Sequence, residues 1–177
     1  MSKTLVIVTH PNIEQSHVNK SWVDALKAHP DLYTVHEIYK LYPDGKIDVA
    51  AEQKLLESYD NIVLQFPMYW YSSPALLKQW QDDVLAYGWA YGSKGNALKG
   101  KKLGVAVSVG SPAEVYTKTG SVGAEVPEIL LPFKLMANFV QTQWQPPFLL
   151  FGALSQTPES LKKSSEDYLA HLQKYFA

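Results

Sequence analysis

Residues 65–92 read QFPMYWYSSPALLKQWQDDVLAYGWAYG, and three consecutive aromatic residues, Tyr69, Trp70 and Tyr71, follow directly on an apolar run. A core would normally claim such rings, yet Pro67 before them and Ser72-Ser73-Pro74 after them mark a loop, and loops lie on surfaces. Ser73 reads as a helix N-cap with Pro74 at the first helical position, where its missing N–H costs nothing. Leu76, Leu77, Trp80 and Val84 then recur at helical spacing. The stretch is therefore a strand, an aromatic surface loop and a helix.

The same alternation extends in both directions. Upstream, residues 5–9 (LVIVT) read as a buried strand, 15–28 as a helix, 33–39 as a partly alternating strand, 49–58 as a helix and 61–66 as a strand. Downstream, residues 103–109 (LGVAVSV) form a strand followed by a Gly/Ser-rich loop. A helix is expected over 128–140, with Pro132 tolerable in its first turn. A last strand region, 142–144 and 148–151, is interrupted by Pro146-Pro147, and a helix spans 158–176. Strands without a polar face, alternating with helices, specify a parallel sheet covered on both sides. The expectation is one doubly wound α/β domain over residues 1–177. Ligands in such folds sit at the carboxyl ends of the strands beside the switch in strand order. Three loops qualify, at residues 10–19, 67–73 and 108–123.

Composition narrows the function. The chain has 177 residues, is 46% hydrophobic and carries a formal charge of −1, so it has no basic field for nucleic acid. With no cysteine it has no disulfide, thiolate metal site or cysteine nucleophile, which suits a reducing cytoplasm. The apolar run at residues 5–8 is too short for a signal peptide, and no segment approaches the roughly 20 apolar residues of a membrane span. All 16 basic residues are lysines. Any phosphate must therefore be held by backbone N–H groups, hydroxyls, amides or lysine, without a guanidinium fork.

Several chemistries find little footing. The dinucleotide fingerprint G-x-G-x-x-G is absent, and GNALKGKK (95–102) ends in lysine where a P-loop needs Ser or Thr, so it reads as a surface turn. None of the five histidines stands at a recognisable spacing from a carboxylate, so no metal is expected. There is no G-x-S-x-G elbow. The loop holding His10 and Ser16 runs into a helix start, which suits a phosphate or plain capping by Ser16 or Asn12. The aromatic loop offers walls for a flat heterocycle, or else a satellite cluster or subunit contact. SVGSPAEVY (108–116) adds Gly110, which admits a ring close to the backbone, and the phenol of Tyr116.

Residues 66–92 resemble the signature of the flavodoxin-like NAD(P)H:quinone oxidoreductases. That family includes DT-diaphorase, the modulator-of-drug-activity reductases and the ancillary subunits of glutathione-gated potassium-efflux systems. HPN…S-x-x-N from His10 to Asn19, the Gly-containing loop after residues 103–109 and NFVQTQWQPPF (138–148) follow in the family's order, so the resemblance covers nearly the whole chain.

The resemblance implies a flavodoxin-like three-layer sandwich with a five-stranded parallel sheet of order 2-1-3-4-5. It places the flavin phosphate and ribityl chain at His10, Ser16, Val18 and Asn19. Pro67, Met68, Tyr69, Trp70 and Tyr71 would line the isoalloxazine, and Ser108, Val109, Gly110 and Ser111 would hydrogen-bond its pyrimidine edge. Tyr116 matches the family's active-site tyrosine, but Val122 stands near the position of its histidine partner. The usual Thr-Thr-Gly-Gly after strand four is Ser-Val-Gly-Ser here. The C-terminal extension of the larger FAD-binding members is missing, which favours FMN over FAD. The implied reaction is a ping-pong hydride transfer from NAD(P)H through flavin to a quinone or other planar acceptor. The alternatives are an ancillary subunit of a potassium-efflux transporter and a flavodoxin-type carrier, the latter opposed by the near-neutral charge. The family implies a homodimer with its active sites at the interface, where residues 87–92 would meet the partner.

Overall fold

The computed structural model describes residues 3–177. Six strands form one parallel sheet: β1 (Thr4–Val8), β2 (Tyr33–Glu37), β3 (Asn61–Pro67), β4 (Lys102–Ser108), β5 (Gln143–Trp144) and β6 (Phe148–Leu150). The order is β2-β1-β3-β4-β5, with β6 also paired to β4. This is the expected 2-1-3-4-5 sheet with its last strand in two pieces. Leu103 faces Trp144 and Ala106 faces Phe148, so the edge strand carries one extra residue across Pro146-Pro147. Proline has no N–H for the ladder, and the chain bulges there instead of pairing.

The strands are buried on both faces. Leu5 and Ile7 join the core beneath α3 (Val49–Glu57), α4 (Ala75–Val84) and α6 (Leu131–Phe139). Val6 and Val8 join the core beneath α1 (His17–Lys27) and α7 (Pro158–Phe176). The latter two helices are clamped together by Trp22, whose indole N–H donates to Ser164 Oγ at 2.9 Å and whose ring lies 5.1 Å from Tyr168. Among the described residues no helix is long and apolar enough to cross a membrane.

Two helix starts differ from expectation. The helix over 128–140 is instead α5 (Val126–Ile129) followed by α6, broken at Leu130. Pro132 lacks the N–H that would bond the carbonyl four residues back, so a new helix begins around it. For α4 the N-cap is Pro74, not Ser73. The hydroxyl of Tyr39, in α2 (Ile38–Leu41), accepts the exposed N–H of Leu76 at 3.3 Å and does the capping from outside.

α4 is fixed further by a buried carboxylate. Glu52 on α3 is 1% exposed and accepts from His36 Nε2 at 2.8 Å, Tyr42 Oη at 2.6 Å and Trp80 Nε1 at 2.9 Å. Burial alone would push its carboxyl up, but the donors from His36, Tyr42 and Trp80 outweigh that and hold it below the usual carboxylate range. Burial and the same carboxylate push the Tyr42 phenol far above its ordinary value. A depressed carboxyl contributes stability that is full above its unfolded value, about pH 4.3, and is lost as pH falls through the folded one. Glu52→Ala should cost about 3 kcal/mol in urea denaturation, because three donors lose their acceptor. Glu52→Gln should flatten the acid limb of the stability curve, and an unchanged limb would remove Glu52 from its control.

Candidate functional site

At the carboxyl ends of β1, β3 and β4 the loops surround a cleft of about 440 Å³. Its first wall comes from the β1 loop and the start of α1: His10, Ser16, Val18 and Asn19, with His17 between them. The chain passes through a single 3-10 turn (Ile13–Gln15), and Ser16 then caps α1, its Oγ accepting the Asn19 N–H at 3.1 Å. Plain capping is thus part of what Ser16 does, while Asn12 caps nothing through its side chain. The N–H groups of His17 and Val18 in the first turn have no acceptor among the described residues. His10 Nδ1 accepts the Asn12 N–H at 3.1 Å, leaving Nε2 as the proton-bearing nitrogen. Burial lowers the His10 pKa and so favours the neutral ring.

The floor is a buried knot of side chains. Asn19 Nδ2 donates to Ser108 Oγ at 2.9 Å, and Gln65 Nε2 donates to Asn19 O at 3.2 Å and to Asn19 Oδ1 at 3.3 Å. Asn19 and Ser108 therefore join α1, β3 and β4 as well as lining the cleft. The third wall ends at Gly110, where an added Cβ would meet no heavy atom within 4 Å. That open space above a backbone is where a flat ring can lie.

Pro67, Met68 and Tyr69 form the second wall, but Trp70 and Tyr71 are not part of it. Tyr69 and Ser72 exchange backbone hydrogen bonds at 3.1 and 2.9 Å around a two-residue turn. Trp70 and Tyr71 at its tip have φ of 49° and 60°, the signs of a type I′ turn. Left-handed torsions are costly for bulky residues, and here they throw the Trp70 ring out of the cleft to 94% exposure. The N–H groups of Trp70 and Tyr71 are unpaired among the described residues.

Other expected site residues fall elsewhere. Val109 is fully buried, its N–H donates to Leu150 O at 2.7 Å and its carbonyl accepts from Ala153 N at 2.9 Å, so both backbone groups are engaged within the fold. The Ser111 carbonyl accepts from Gly152 N at 3.0 Å outside the cleft. Tyr116 packs on Phe151, ring centroids 5.7 Å apart, and does not reach the cleft wall. In GNALKGKK, Lys101 Nζ holds the carbonyls of Glu57 and Tyr59, and Lys102 Nζ that of Ala177. No group of three or more His, Asp or Glu among the described residues is placed to share a metal ion.

A fourth wall escaped the sequence reading. Ala153 and Leu154, in a 3-10 turn (Ala153–Ser155) after β6, face the same cleft. The signal was available: this turn also follows a parallel strand at its carboxyl end.

The family model described as flavodoxin-like fold matches residues 2–174. The chain is 49% identical over 170 residues to the uncharacterized NAD(P)H oxidoreductase YrkL of Bacillus subtilis (strain 168), covering 94% of this chain and 97% of that one. It is 41% identical over 169 residues to the glutathione-regulated potassium-efflux system ancillary protein KefF of Enterobacter sp. (strain 638), covering 95% and 94%. Among solved structures, the general stress protein 14 of Treponema denticola in complex with FMN superposes with a TM-score of 0.94 at 54% identity, covering 97% and 98%. An NADPH-quinone reductase from P. pentosaceus gives a TM-score of 0.86 at 31% identity, covering 97% and 96%.

The tip of the aromatic turn yields a test of stored strain. A buried Trp lost to a small residue costs about 3–5 kcal/mol. Trp70→Gly instead relieves a left-handed torsion worth about 1–2 kcal/mol. Its thermal midpoint should therefore stay level or rise, as read by calorimetry, and a large fall would contradict the geometry.

Proposed function

The chain belongs to the flavodoxin-like fold family, and on that premise we propose that it is an FMN-dependent NAD(P)H oxidoreductase reducing quinones or similar planar acceptors by two electrons. The observation that carries this reading is the cleft itself, which brings the N–H groups at the start of α1, unpaired among the described residues, together with open space over Gly110. When bound, FMN supplies the hydride and electron chemistry between donor and acceptor.

The protein's part is binding and orientation. Ser16 O–H, the N–H groups of His17 and Val18, and His10 Nε2–H would hold the phosphate without a cationic side chain. Met68 and Tyr69 would wall the ring. Gly110 permits close approach of the β4 loop, while Ser108 holds that loop through Asn19. No acid–base pair is required of the side chains. Tyr116 and Ser111 belong to the loop that follows, at the acceptor side.

A second copy of the chain is proposed to complete the acceptor side. Leu135 and Phe139 are exposed along a groove of about 720 Å³ between α4 and α6, and the exposed Tyr87 packs edge-on against Tyr91 of that groove at 5.7 Å. Ser72, at the base of the aromatic turn, lines this groove, while Tyr69 of the same turn lines the cleft. A partner seated on the groove therefore also meets the turn. The second reading, an ancillary subunit of a potassium-efflux transporter, is favoured by the likeness to KefF. Co-purification with membranes would select it.

Purified protein should be yellow, release FMN on denaturation and oxidise NAD(P)H with a naphthoquinone. Colourless protein that takes up neither FMN nor FAD overturns the enzyme reading. Gly110→Val should weaken FMN binding with the fold intact, since its side chain fills the ring space. Sedimentation at micromolar concentration should give a dimer, and Phe139→Glu should shift it towards monomer.

A further inference from the structure

Leu154 is 93% exposed, almost as fully as Trp70, although it is apolar and stands at the rim of the cleft. Mobility of the turn does not explain this exposure. Gly152 takes the left-handed conformation at φ 65°, and its N–H donates to Ser111 O at 3.0 Å. The Ala153 N–H donates to Val109 O at 2.9 Å, so the turn is stitched to the β4 loop on either side of Gly110. Ser155 Oγ donates to Gly152 O, and Gln156 Nε2 donates to the carbonyls of Phe151 and Gly152. Thr157 then caps α7. A tightly bonded turn holds an isobutyl group in water, where it contributes nothing to folding.

Its position indicates what it is held for. Ala153 packs into the same hydrophobic cluster as Ile13 and Val18, on the α1 side of the sheet. Leu154 follows Ala153 directly and lines the same cleft as Ser16, His17 and Val18. We propose that Leu154 is a retention latch: it closes over the ribityl-phosphate part of bound FMN and shields the contacts at the start of α1 from water. The proposal rests on the FMN reading above and adds a residue and a role to it. Excluding water matters here because the anion is held by N–H groups and a neutral imidazole, and such contacts strengthen as the local dielectric falls. A leucine supplies that exclusion by burying its own apolar surface on the ligand.

The test compares wild type with Leu154→Ala and Leu154→Met, each loaded with FMN. Dissociation is followed by the recovery of free-flavin fluorescence on dilution, and Kd by titration of the apoprotein with FMN. Leu154→Ala should raise Kd about tenfold, mostly through faster dissociation, and Leu154→Met should restore most of the loss. The thermal midpoint of the apoprotein should not change, because the side chain is exposed without ligand. Equal Kd and dissociation rate in wild type and Leu154→Ala overturn the latch and leave the FMN reading standing. A change in subunit association with no change in FMN affinity overturns it too, since Leu154 would then face a partner chain. A wild type that takes up no FMN overturns the cofactor reading, and the latch falls with it.

Discussion

Three loops from three strands make a usable site only if they are fixed relative to one another, and the buried amide of Asn19 does most of that fixing. Its Nδ2 holds Ser108 at the end of β4, its carbonyl groups hold Gln65 in β3, and its own N–H is taken by Ser16. Each such bond contributes about 1 kcal/mol net, but leaving the partners unpaired in the interior costs more than that apiece. The knot therefore resists partial disassembly: the loops are placed together or not at all. Nearby, Thr9 Oγ1 and Gln65 Oε1 are buried without protein partners. Unsatisfied polar atoms are uncommon in native interiors, and here they lie beneath the cleft, where the scaffold tolerates a cost for the sake of position.

The aromatic turn depends on the same principle from the other side. Two consecutive left-handed aromatic residues would relax if either flank could shift. β3 cannot shift, since it is a buried central strand. α4 is tied by Tyr39 at its first turn, by Gln79 to the Gly45 carbonyl and by Trp80 to the Glu52 carboxylate. The turn is thus a strained bridge between two fixed supports. It separates the cleft, lined by Tyr69, from the apolar groove, lined by Ser72, so a ligand and a second chain would press on it from opposite sides.

The architecture was legible because runs such as Val6–Val8 and Val105–Val107 leave no polar face, and the order of elements then admits few topologies. The broken edge strand was legible too, in Pro146-Pro147. Side-chain direction within the loops was not. Nothing in YWY distinguishes rings that line a cleft from rings thrown outward, because the sign of φ at Trp70 and Tyr71 is set by the Tyr69–Ser72 hydrogen bonds. Val109 ends the strand expected over 103–109, and backbone bonds to Leu150 and Ala153 continue the sheet through it and draw it inward. Tyr116 lies in a long segment with no period to orient it. Leu154 escaped although residues 148–151 read as a strand, because a lone leucine in the short loop that follows carries no mark of a ligand contact.

The absence of arginine connects these observations. A guanidinium fork holds phosphate even in contact with water, because it brings a full charge and two parallel donors. On the proposed reading a phosphate would meet only partial charges here: the first turn of α1, one hydroxyl and an imidazole whose neutral form burial favours. Partial charges bind anions well when they are preorganised and dry, and poorly when water competes. Preorganisation is what the Asn19 knot and the Ser16 cap provide. Dryness has to come from apolar side chains at the rim, and a leucine held in solvent by a rigid turn at that rim has the shape and chemistry to supply it.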